Sequence, residues 1–147
     1  MNIETIKSVY FVGAGGIGMS ALIRYFLSKG KFVAGYDRTP SALTEHLIAE
    51  GAQIHYEEDV TLIPENCKDK GNTLVAIPQE HAELAYFHEN GFEIHKRSQV
   101  LGTIARSSKG LCVAGTHGKT TTSTMAAHLF HQSHIGCTAF LGGISKN

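Results

Sequence analysis

"SVYFVGAGGIGMS", residues 8–20, is the stretch on which the fold turns. The short apolar run Ser8–Val12 reads as a strand, and it ends on Gly13-Ala14-Gly15-Gly16-Ile17-Gly18, a G-x-G-x-x-G pattern. Behind it Met19, Leu22, Ile23, Phe26 and Leu27 recur on one helical face, so a helix is expected from about Ile17 to Ser28, closed by Gly30. In such a turn Gly13 permits the sharp bend and Gly15 lets backbone approach a pyrophosphate. Gly18 lets the helix pack closely, and the first N–H groups of the helix aim at the anion. Asp37 ends the next strand, nineteen residues beyond Gly18, where an acidic side chain commonly meets a ribose hydroxyl. The motif points to a pyrophosphate and leaves NAD, FAD and a UDP-sugar open as its owner.

Outward from this unit, strands and helices alternate. A second strand is expected over Lys31–Asp37, then a helix with Thr39 as N-cap, Pro40 at its first position and Gly51 past its end. Ala52–Tyr56 reads as a third strand, and residues 57–71, polar and carrying Pro64, as loop with one helical turn. Asn72–Ile77 is a fourth strand, Glu80–Asn90 a helix stopped by Gly91, Phe92–Lys96 a fifth strand and Ser98–Ser108 a short helix. Gly110–Ala114 reads as a sixth strand, Thr120–Gln132 as a helix, and Cys137–Gly143 as the opening of a further strand. Alternation at this spacing predicts an α/β fold, a Rossmann-like doubly wound parallel sheet with ligands at the carboxyl ends of its strands. A boundary is expected near Ser107–Lys109, dividing residues 1–108 from 109–147.

Composition narrows the function classes. The 147 residues balance 13 Lys and Arg against 13 Asp and Glu, so no net field draws nucleic acid or an anionic membrane. No apolar run reaches transmembrane length and no leader pattern stands at the N-terminus, so the expected location is cytoplasmic without membrane insertion. Cys67, Cys112 and Cys137 are far apart, with no C-x-x-C, which suggests neither a zinc site nor a disulfide framework. His128 and His131 stand three apart without acidic partners and read as ordinary packing or surface residues.

A second glycine turn follows the sixth strand: "VAGTHGKTTTS", residues 113–123. The P-loop pattern has four residues between its first glycine and Gly-Lys, and here there are two. The order strand, glycine turn, Lys119, Thr120, helix is nevertheless that of a phosphate cradle. Backbone N–H groups can hold a β-phosphate, Lys119 can reach β and γ oxygens, and the Thr120 hydroxyl can ligate Mg²⁺. Residues 109–147 are therefore expected to open a P-loop ATPase domain.

The shortened G-T-x-G-K-T loop resembles the ATP site of the Mur ligases, the ATP-dependent amide-forming enzymes of peptidoglycan precursor synthesis, and of folylpolyglutamate synthetases. "GAGGIGMS", "HKRSQVLG" (residues 95–102) and "FLGG" (residues 140–143) extend the likeness along essentially the whole chain. His117 with its Thr run is similar to the branch that joins L-alanine to UDP-N-acetylmuramate, and to the branch that recycles a tripeptide. The N-terminal loop favours the former. The resemblance implies that Gly13, Ala14, Gly15, Gly16, Ile17, Gly18, Met19 and Ser20 hold the diphosphate of a UDP substrate rather than NAD, with Asp37 at the uridine end. It implies an ATP loop of Gly115, Thr116, His117, Gly118, Lys119, Thr120 and Thr121, with Lys119 neutralising the transferring phosphate and Thr120 holding Mg²⁺. Arg97 aligns with a basic residue at the corresponding helix start. The reaction implied phosphorylates the muramate carboxylate to an acyl phosphate, which the L-alanine amine attacks.

Two departures accompany the likeness. The chain ends at Asn147, so it is expected to be an N-terminal fragment whose remaining ATPase parts lie elsewhere. "NTLV" also runs directly into "AIPQEH", where the family places several more residues, so a handful is expected to be absent between Val75 and Ala76. The competing readings are the tripeptide-recycling ligase, a NAD-binding module that leaves the second loop idle, and a nucleotide-binding regulator. A homodimer is left open.

Overall fold

A computed structural model describes residues 3–77 and 82–143. Five parallel strands form one sheet in the order β3-β2-β1-β4-β5: β1 (Ser8–Val12), β2 (Phe32–Tyr36), β3 (Gln53–His55), β4 (Thr73–Ile77) and β5 (Ile94–Lys96). Two helices, α1 (Ile17–Ser28) and α2 (Ala42–Ala49), carry the chain outward from β1 to β3. It then crosses back to β4, beside β1, through two single 3₁₀ turns at Val60–Leu62 and Glu65–Cys67, where one turn was expected. α3 (Ala82–Glu89) and α4 (Arg97–Arg106) flank β5. The strand order reverses between β1 and β4, and the crevice at such a reversal is where ligands of this fold bind.

Period-two alternation divides β1 between two cores. Val9 and Phe11 pack with Leu22, Ile23 and Phe26 of α1, Leu47 of α2, and Val100 and Ile104 of α4. Tyr10 and Val12 pack on the opposite face with Val75, Phe87 of α3, Ile63 and Cys67. Both faces are covered, as a parallel sheet requires. Burial pushes the Cys67 thiol up to about 12, which leaves it an inert core residue. Under the second face the Tyr10 hydroxyl donates to Glu83 Oε2 at 2.8 Å and lies 2.6 Å from His55 Nε2. Burial, then the Glu83 charge, pushes the Tyr10 hydroxyl well above its ordinary range.

β4 runs unbroken through Val75 and Ala76, in register with Tyr10 and Phe11 of β1. The start of the helix expected from Glu80 lies outside the described residues.

Three expectations are corrected. Ser41, not Thr39, caps α2, and Pro40 precedes the cap rather than opening the helix. Ser41 Oγ accepts from Thr44 N at 3.2 Å while Thr44 Oγ1 accepts from Ser41 N at 2.9 Å, a reciprocal capping box that fixes the start two residues later. Residues 110–114 form no strand, and Leu111 is 77% exposed. Residues 137–143 form none either. A strand exists by pairing, and among the described residues neither segment has a neighbour to pair with. Between them α5 (Lys119–Gln132) forms as expected and buries no residue.

Candidate functional site: two glycine turns at helix N-termini

The first turn is built into the sheet. Gly13 adopts φ +77°, a left-handed conformation that favours glycine, and swings the chain off β1. The N–H groups of Gly13 and Ala14 donate to the Tyr36 carbonyl at 2.8 and 3.0 Å, which pins the turn to the end of β2. Asp37 completes the attachment: its Oδ2 accepts from Gly15 N at 2.6 Å and its Oδ1 from Thr39 N at 3.1 Å. A Cβ at Gly15 would stand 2.9 Å from that Oδ2 and 3.1 Å from Thr44 Cγ2. The glycine thus makes room for Asp37, and its N–H is engaged by the carboxylate.

Gly16 is the N-cap of α1 and carries no side-chain cap. Its carbonyl takes the N–H groups of Met19 and Ser20, both at 2.9 Å. The N–H groups of Ile17 and Gly18 have no partner among the described residues. Two unpaired donors at the positive end of a 12-residue helix, with no acidic residue in its first turn, are a ready anion site.

These donors open on a cleft of about 400 Å³ with three walls. Gly13 and residues 16–19 form one, Arg97 and Leu101 of α4 the second, and residues 140–142 the third. Of the residues expected at the first ligand, Gly13, Gly16, Ile17, Gly18 and Met19 line the cleft. Ala14 is fully buried, and Gly15 and Asp37 brace the turn from behind. The Ser20 hydroxyl donates to the Ile17 carbonyl at 2.8 Å, inside its own helix. The Phe140–Gly142 wall was not legible in the sequence as part of this site.

The second turn has the same plan and little support. Gly118, φ +77°, is the N-cap of α5, and the first intrahelical bond runs from Thr122 N to its carbonyl at 2.9 Å. Among the described residues the N–H groups of Lys119, Thr120 and Thr121 have no partner. The Lys119 ammonium folds back onto the carbonyls of Gly115 and Thr116. Residues 106–122 are exposed throughout. Gly115, Thr116, His117, Gly118, Lys119, Thr120 and Thr121 thus lie together as one solvent-facing turn. This donor set fits a phosphate chain: unpaired backbone donors, a primary ammonium and a hydroxyl at the second helical position. Thr120 also lies near the segment that walls the first cleft, since a Cβ at Gly142 or Gly143 would stand 3.6 or 3.5 Å from its side chain.

Among the described residues no group of three His, Cys, Asp or Glu side chains could hold a metal ion, and His128 and His131 are exposed on α5. No helix there is long and apolar enough to cross a membrane.

The chain is 71% identical, over its whole length, to a UDP-N-acetylmuramate–L-alanine ligase of Phocaeicola vulgatus, and spans 33% of that protein. The alignment runs over 151 positions, four more than the chain has residues. A solved UDP-N-acetylmuramate–alanine ligase, MurC, from Thermotoga maritima superposes with TM-score 0.81 at 30% identity, over 94% of this chain and 32% of that one. A murein peptide ligase from Psychrobacter arcticus shares the fold at TM-score 0.74 and 24% identity, over 87% of this chain and 27% of that one. The chain therefore spans about a third of the length of these relatives. The model of the Mur ligase family, catalytic domain, matches residues 8–109, the five-stranded sheet with its first glycine turn, and the chain belongs to that family.

Proposed function

We propose that this chain supplies the UDP-substrate domain, residues 1–108, and the ATP loop, within 109–147, of a cytoplasmic ligase that joins L-alanine to the carboxylate of UDP-N-acetylmuramate. The observation that carries this reading is the 71% identity with the Phocaeicola vulgatus ligase across a span containing both glycine turns. The Psychrobacter arcticus structure, at 24% identity, shares the fold alone and does not favour the tripeptide-recycling alternative.

The division of labour follows from the two turns. The donors of Ile17 and Gly18 would take the diphosphate in the cleft, beside Gly13, Gly16 and Met19. Asp37, which braces the turn, would meet the uridine end with its remaining lone pairs. At the second turn the N–H groups of residues 119–121 and the Lys119 ammonium would hold the phosphate chain of ATP. Lys119 must first leave the Gly115 and Thr116 carbonyls. Thr120 would hold Mg²⁺, which adds positive charge beside the phosphates when bound.

The chemistry needs both substrates positioned. A carboxylate is a poor acyl donor because its leaving group would be oxide. Transfer of the γ-phosphoryl from ATP converts it to an acyl phosphate and releases ADP. The amine of L-alanine then attacks the carbonyl carbon, phosphate departs, and the amine loses a proton. Catalysis here is mainly alignment and charge neutralisation, which helix N-termini and a lysine supply.

Calorimetry of the 147-residue chain with UDP-N-acetylmuramate, UDP and NAD tests the assignment of the first cleft. Binding of the two uridine compounds without NAD is expected. Binding of NAD alone would sink the ligase reading.

A further inference from the structure

We propose that Arg97 is the side-chain cation that clamps the diphosphate on the N–H groups of Ile17 and Gly18, an inference that rests on the reading of the first cleft as a diphosphate site. Four observations converge on it.

The charge balance comes first. The N-terminus of α1 offers the equivalent of roughly half a positive charge, against at least two negative charges on a diphosphate. The remaining compensation must come from side chains. Among the described residues Arg97 is the one cationic side chain lining the cleft. The third wall, Phe140 to Gly142, has no charge to offer.

Its position is the second. The Arg97 guanidinium lies directly over Gly18: a Cβ there would stand 3.0 Å from Nη1 and 3.2 Å from Cδ and Cζ. The third glycine of the motif is generally read as an allowance for helix packing. Here the space it leaves holds a guanidinium, immediately beside an unpaired N–H.

Third, Arg97 is not engaged elsewhere. Arg24 is tied to Glu50 by a bidentate pair and Lys68 to Glu65, whereas Arg97 makes no hydrogen bond or ion pair among the described residues. Fourth, α4 gives Arg97 no local reason to be where it is. It occupies the first helical position, where the macrodipole disfavours a cation. The buried Val100 and Ile104, and the bond from Lys96 N to Gln99 Oε1 at 2.7 Å, nevertheless fix that first turn against α1. The N-terminus of α1 and a planar five-donor cation therefore face one cleft, an arrangement suited to the paired oxygens of a diphosphate.

Titrating the 147-residue chain with UDP and with uridine, in the parent and in R97M, R97K and G18A, tests the clamp. R97M should bind UDP about 10- to 100-fold more weakly, the loss expected for a charge-assisted contact, with uridine affinity unchanged. R97K should recover part of the loss, because an ammonium keeps the charge without the fork. G18A should also weaken UDP by displacing the guanidinium, and the salt dependence of UDP binding should be shallower in R97M. Undiminished UDP affinity in R97M, or equal losses for UDP and uridine, would overturn the clamp. A parent chain that binds UDP no better than uridine would instead overturn the diphosphate reading beneath it.

Discussion

The two glycine turns share a plan and differ in what stands behind them. Each places a left-handed glycine at φ +77° and then a helix whose first N–H groups are unpaired. The first hangs from a fully buried strand, is tied to β2 through Tyr36 and Asp37, and leads into a helix with five buried residues. The second follows an unpaired segment and leads into a helix with none. An unpaired donor array of this kind is thus a local property of a turn and a helix end. Rigidity of that geometry is a tertiary property, and here only the first turn has it.

The sharpest way to break this contrast is to delete the same kind of side chain from each region. Phe26, fully buried in α1, should cost about 3–5 kcal/mol when truncated to Ala. Leu129, 67% exposed on α5, should cost within about 0.5 kcal/mol. Urea denaturation of both variants measures this, and comparable losses would mean that α5 belongs to the cooperative core after all.

A smaller effect is expected inside the turns. Asp37→Ala removes the acceptors of two backbone N–H groups and should cost about 1–2 kcal/mol in the absence of any ligand. His117→Ala, in the exposed second turn, should leave the thermal midpoint where it was. If Asp37→Ala proves neutral, the first turn draws its order from the helix and strand alone.

The smallest effect concerns the pair that braces α1 against the end of α2. Arg24 donates to both oxygens of Glu50, and that hydrogen bonding holds the Glu50 carboxyl below its usual range. A depressed folded pKa means the contribution is complete above the unfolded value near 4.5 and is lost as pH falls through the folded one. Both side chains are about two-fifths exposed, so the loss should stay below about 1 kcal/mol. Glu50→Gln should therefore lower stability at neutral pH by up to that amount, leave it nearly unchanged at low pH, and so flatten the acid limb of a urea-denaturation series against pH.

The sequence made the first unit legible because its signals agree. Alternation along Ser8–Val12 switches at Gly13 to the helical spacing of Met19, Ile23 and Phe26, and both element boundaries stand where they were expected. The α2 start was missed because two capping signals compete, and Ser41 wins through reciprocal bonding with Thr44 that a single-residue preference does not reveal. Gly110–Ala114 carries strand propensity, yet propensity says nothing about whether a partner strand is present. Arg97 showed itself as a basic residue at a helix start. Its place over Gly18 depends on how β5 and α4 return to α1, which is tertiary information.

The edges of the sheet carry one more consequence, for how copies of this chain treat one another in solution. β3 and β5, which flank the sheet, are three residues long and bear Gln53, His55, His95 and Lys96. Short polar edges offer a poor template for intermolecular strand addition. The opposite holds at 110–114, where Gly-Leu-Cys-Val-Ala is uncharged, free of proline, exposed and unpaired. Such a run is the sequence type that stacks with its own copies. Self-association should therefore begin at Leu111 and Val113 rather than along the sheet, and a charged residue at position 111 should raise the concentration at which the chain stays monomeric.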